Sequence, residues 1–157
     1  MERRSFLFAL GALCLSHESV LARPVQHDFR SADLMGGSFA MMSSQLALTR
    51  TRNPDVINFA NAEIAEQVQV ATALGAAPGS TPLRSDHADM VARLDGVPAG
   101  GERMYVQGQI MGHRELLNLN SSYLRAGSDP QLQSVAQMSV PIIQRHLAIL
   151  SNLREMA

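Results

Sequence analysis

Four long windows of this chain repeat apolar residues at steps of three and four, and that spacing restricts its fold more than any other feature. Met35, Phe39, Met42 and Leu46 form the first stripe, within a helix expected from about Ser31 to Arg52. Val56, Phe59, Ala60, Val70 and Leu74 form the second. Val106, Ile110, Leu117 and Leu124 form the third, expected from about Glu102 to Arg125. Leu132, Val135, Ile142, Ile143, Ile149, Leu150 and Leu153 form the fourth. No alternating strand pattern competes. The punctuation agrees with this reading. Asn53-Pro54 and Ser128-Asp129-Pro130 each join a capping side chain to a first-turn proline. Gly75 and Gly127 close the helices before them. Ser85-Asp86 opens a short helix through Leu94, and Asp95-Gly96 stops it. The expected architecture is all-α: an antiparallel four-helix bundle, with a short extra helix between the second and third main helices. Gly36-Gly37 weakens the first helix but permits close contact with a neighbour. Pro141 removes the donor for the Gln137 carbonyl, so a kink is expected in the fourth.

The first 22 residues read differently. MERR supplies positive charge, SFLFALGALCL is a short apolar run, and a plausible cut follows Ala22. This is the layout of a secretory signal peptide, leaving residues 23–157 as one domain. The apolar run is shorter than the ~20 residues a membrane span needs. Arg3-Arg4 before Ser5-Phe6-Leu7 also fits a twin-arginine signal, so both export routes stay open. Periplasmic or secreted localisation follows, with outer-membrane association as a variant. Cleavage removes Arg3, Arg4, Glu2 and Glu18, so the net charge of −1 is unchanged. It also removes Cys14, the single cysteine, from a chain without lysine or tryptophan. Disulfides, thiol nucleophiles, Schiff-base lysines and cysteine-based metal sites are then excluded. Near-neutral charge argues against a general nucleic-acid binder.

Polar residues on apolar faces are the candidates for chemistry. His113 lies fourteen residues before Gly127, and His146 lies seventeen after Asp129. If the two helices pack antiparallel, the three-residue mismatch is only ~5 Å along the axis. Both histidines then occupy neighbouring layers of one core. The second helix offers Glu63 and Gln67, four residues apart on its apolar side, with Glu66 at the edge. Two imidazoles and a carboxylate suit one iron or zinc ion. A buried hydrogen-bond network is the simpler reading of the same residues, and an inward Glu63 needs a cationic or donating partner in either case. Glu63, Glu66, His113 and His146 are therefore the candidate metal ligands. SDHAD at 85–89 is better explained as a helix start than as a ligand cluster. Met35, Met41 and Met42 are read as core filling rather than a Cu(I) site. No catalytic triad or phosphate loop is present.

Three segments together resemble one family. They are LALTRTRNPDVINFA at 46–60, YVQGQIMGHRELL at 105–117 and DPQLQSVAQMSVPIIQRHL at 129–147. Their order and spacing resemble the domain of unknown function 4142 family, often labelled predicted outer-membrane protein, over about Asp28 to Leu153. The resemblance implies a ferritin-like bundle in an exported bacterial protein, without an established activity. His113 and His146 match the family's recurrent histidines. Where members usually carry an Asp-His pair late in the second helix, this chain has Glu66-Gln67. Where members tend to have glutamates in the first helix, it has Met35 and Ala40. A di-iron centre needs several carboxylates and Glu-x-x-His steps. No histidine among His27, His87, His113 and His146 has Glu three residues earlier, so a di-iron centre is not expected.

Two readings of function stand. One is a non-enzymatic binding or envelope stress-related structural role, its partner unknown, with a second copy and an envelope partner both open. The other is a mononuclear metal-binding protein or metal-dependent oxidoreductase using the core histidines. A haem or small apolar ligand between the helices ranks below both.

Overall fold

The computed structural model describes residues 22–97 and 101–156, with side chains from Asp28 onward. The expected signal segment lies outside the described residues except for Ala22. Five helices make up the described chain and no strand is present among these residues: α1 (Ala22–Leu48), α2 (Pro54–Ala73), α3 (Ser85–Gly96), α4 (Glu102–Ala126) and α5 (Pro130–Met156).

The local signals act as their chemistry requires. Asn53 caps α2 by accepting from the Asp55 amide at 3.0 Å. Asp129 caps α5 by accepting from the Gln131 and Leu132 amides at 2.8 and 3.1 Å. Gly75 ends α2 at φ 66, and the amides of Gly75 and Ala76 return to the Thr72 and Ala71 carbonyls. That is the two-bond closure a glycine in the left-handed region allows. Pro141 lies within α5, which continues through it; both Pro141 and Gln137 are exposed, so the carbonyl lacking an amide donor faces water.

The first helix begins earlier than its stripe suggests. Residues 22–30, ahead of the start expected near Ser31, are helical. Phe29 is the reason the start is anchored: it is buried and stacks on Tyr123 with ring centroids 4.0 Å apart. Arg30 adds bonds to the carbonyls of Leu74 and Gly75, which α2 leaves without helical donors.

Contacts fix the helix directions. Phe29 shares an apolar cluster with Leu74, Tyr123 and Leu132, at one end. Ala47, Phe59, Tyr105 and Leu153 share another, towards the other end. Thus α1 and α5 run one way, and α2 and α4 run the other. The segment between α2 and α4 makes this possible by carrying the chain back along the molecule. Its α3 packs on α1, where His87 stacks on Phe39 at 4.3 Å, and its end is held by Arg50 bonding the Leu94, Asp95 and Val97 carbonyls.

α1 is wrapped by α2, α3 and α4, and this changes which of its residues are buried. Gly36, Gly37, Ser38, Ala40, Ser43 and Ser44 are all buried, whereas Met42 of the expected stripe is 37% exposed. Small residues let the neighbours approach on several sides; a Cβ on Gly36 would lie 2.6 Å from Leu116 Cδ2. Ile149 of the fourth stripe is also exposed, because Leu150 and Leu153 fill the core on that turn.

Candidate functional site

The middle of the molecule is polar. Glu63 of α2, His113 of α4 and His146 of α5 are all buried, between the two apolar clusters. Each sits on the face that packing turns inward. Phe59 lies one turn before Glu63, and its ring packs 6.0 Å from the His113 ring and 5.1 Å from that of His146. The two apolar ends therefore hold the three helices at fixed spacing and leave this layer to side chains that can bond one another.

One oxygen and two nitrogens converge. His113 Nε2 lies 3.1 Å from Glu63 Oε2, and His146 Nδ1 lies 2.8 Å from the same oxygen. The two nitrogens are 3.1 Å apart. The atoms behind them are also fixed. His113 Nδ1 is 2.8 Å from the Gln109 carbonyl, which can only accept, so that nitrogen carries a proton and donates it. Gln67 Nε2 donates to Glu63 Oε1 at 2.8 Å. His146 Nε2 faces Glu66 Oε2 at 3.1 Å, too poorly aligned for a hydrogen bond, and that oxygen has no hydrogen-bond partner.

These placements create a proton shortage. A neutral His113 presents a lone pair at Nε2. If His146 carries its proton on Nε2, towards Glu66, three acceptors meet with nothing between them. If it carries the proton on Nδ1, its other lone pair faces the Glu66 carboxylate. Either neutral arrangement opposes two acceptors, so the layer needs one more positive charge, either a proton or a metal ion. The ionisation tendencies agree. Burial alone would raise the Glu63 carboxyl, but the His113 charge and hydrogen bonds from both imidazoles hold it far below the usual carboxylate range. Burial likewise opposes a charged His113, yet Glu63 beside it and the Gln109 carbonyl raise it above its ordinary value.

Of the four candidate ligands named from sequence, Glu63, His113 and His146 form one group whose donor atoms lie within 4.8 Å of one another. Glu66 stands one step out, behind His146, with Arg145 at 3.4 Å on its solvent side. Gln67 steadies Glu63 from behind.

Sequence reasoning passed over three polar residues near this layer. Asp33 of α1 is buried, and its carboxylate accepts from Asn120 Nδ2 at 2.6 Å. Burial pushes the Asp33 carboxyl up to about 6, against a smaller opposing effect of that bond. Ser139 is buried with no hydrogen-bond partner for its hydroxyl. The available signal was helical register, since Asn120 is seven residues after His113 and Ser139 seven before His146, on the same faces. SDHAD also did more than start a helix. Arg84 is the capping position of α3 without a side-chain cap, and His87 is fully buried with Nε2 3.1 Å from Glu115 Oε2. Arg84 clasps both oxygens of Glu115 at 2.6 and 2.7 Å.

A family model described as a domain of unknown function (DUF4142) matches residues 22–153. The chain belongs to that family. No curated protein and no solved structure matches it.

Proposed function

We propose that this protein binds one divalent transition-metal ion through Glu63, His113 and His146. The observation that carries the reading is the convergence of three buried lone-pair donors, two of them fixed from behind by hydrogen bonds, with no permanent cation among them. Imidazole and carboxylate donors of this kind suit iron or zinc. The three atoms already lie at hydrogen-bonding separations, close enough for one ion to reach all of them. The observed edges are 2.8 to 3.1 Å. Such an ion would replace the extra proton of the metal-free layer. The Gln109 carbonyl and Glu66 would orient the two imidazoles, as acceptors behind metal-bound histidines commonly do.

The helix order supports a ferritin-like arrangement: two antiparallel pairs, α1 with α2 and α4 with α5, joined by a long return segment. It does not bring the ligand set of a di-iron centre with it, because Glu63 is the one carboxylate in the donor cluster. Function rests on the site rather than the fold. Among the described residues, no helix is long and apolar enough to cross a membrane. We place the protein in the periplasm or outside the cell, a reading supported by the basic and apolar start of the chain. A metal-binding role there also fits the envelope binding function considered from sequence. Titrating the metal-free chain with Fe(II), Zn(II) and Co(II) under anaerobic conditions tests the reading. Saturation at one ion per chain supports it, and no binding of any of the three overturns it.

A further inference from the structure

Three protein donors leave a four- to six-coordinate ion one to three open positions, so the space beside the histidines decides what else reaches the ion. A chamber touches both His113 and His146, away from the side covered by Phe59. It leaves about 20 Å³ for the centres of water-sized molecules. By that measure a single water needs roughly 10–15 Å³. One water, or a molecule of two heavy atoms, fills that space. The walls mix apolar and polar groups. Leu116 and Ile143 contribute the former, while Asp33, Glu66 and Ser139 contribute the latter. Ser139 is 5% exposed and its hydroxyl has no partner; Glu66 Oε2 is likewise without a hydrogen bond. Buried polar atoms without partners next to a water-sized space point to a small polar guest.

We infer that this chamber is the exogenous-ligand pocket of the ion held by Glu63, His113 and His146, sized for water or a diatomic molecule, with Ser139 and Asp33 as its polar contacts. The inference rests on the metal-binding reading and names what that site admits. Binding requires only a dative bond from the guest to the ion; no bond in the guest breaks.

Nitric oxide is a diatomic probe and imidazole a bulky one. The full chain loaded with Fe(II) is exposed to each, with metal content measured in parallel. Nitric oxide is expected to give the electron paramagnetic resonance signal of an iron–nitrosyl adduct, and imidazole to leave the spectrum unchanged. Ser139→Leu, which fills the chamber, is expected to weaken nitric oxide binding at least tenfold while one iron per chain is retained. Ser139→Val serves in the same way, with a smaller effect, where the leucine variant does not fold. Equal binding of imidazole and nitric oxide would overturn the inference. So would undiminished nitric oxide binding in the filled variants. In both cases iron remains bound, which separates this failure from that of the metal-binding reading, where no iron is retained at all.

Discussion

Two clusters in this molecule join histidine to glutamate, and they differ in one respect. At Glu115, the buried His87 ring shares its carboxylate with Arg84, whose charge is permanent. At Glu63, two buried rings share a carboxylate with no arginine touching it among the described residues. The first cluster is electrically complete and half-exposed at its carboxylate. The second is buried and lacks a positive charge unless a proton or an ion supplies one. Residue types alone do not distinguish the two. What distinguishes them is whether a fixed cation already occupies the carboxylate.

The largest expected effect separates the clusters by stability. Glu63→Ala strands two buried imidazoles without their counter-charge and should cost ~3–5 kcal/mol in urea denaturation, the usual range for breaking a buried ion pair. Glu115→Ala breaks a half-exposed pair, strands one ring nitrogen of His87 and should cost less, ~1–2 kcal/mol. Similar losses for both would remove the contrast.

The next prediction concerns Asp33. Its folded-state pKa of about 6 lies above the ordinary 3.8, so its protonated form stabilises the fold fully below about pH 4. That contribution is lost as pH rises through 6. Asp33→Asn keeps the bond from Asn120 and offers its own amide to Asn120 Oδ1, which has no partner. The variant should match the parent near pH 4 and exceed it by up to ~3 kcal/mol at pH 8, the free energy that separates a carboxyl at about 6 from one at 3.8. Parallel stability curves from pH 4 to 8 would show that Asp33 is not held protonated.

A smaller effect is expected behind the ligands. Gln67→Leu removes the donor to Glu63 Oε1 and should weaken metal affinity ~10-fold, the lower end of what such supporting bonds contribute. Isothermal titration with Zn(II) reads this directly. Glu115→Ala should leave the same affinity unchanged.

Much of this layer was legible in the sequence. Counting outward from the Gly127–Asp129 turn placed His113 and His146 at nearly one level, and helical spacing put Glu63 inside. The turn signals at Asn53-Pro54 and Asp129-Pro130 worked because caps are local. Burial around α1 was not legible. A stripe assumes one buried face, and α1 has neighbours on several sides, so small residues became core and Met42 turned outward. The burial of Asp33 follows from that same wrapping. The partnership of Glu115 with His87 and Arg84 joins residues 28 and 31 positions apart on different helices, and no periodicity within one helix reports it.

The metal content of the intact chain, purified from its native compartment, tests the central claim most directly. Parent protein and His87→Ala are expected to carry one transition-metal ion per chain, and His113→Ala to carry none. Metal-free parent protein whose melting temperature is unmoved by Fe(II) and Zn(II), or His113→Ala that retains a full equivalent, would contradict the account.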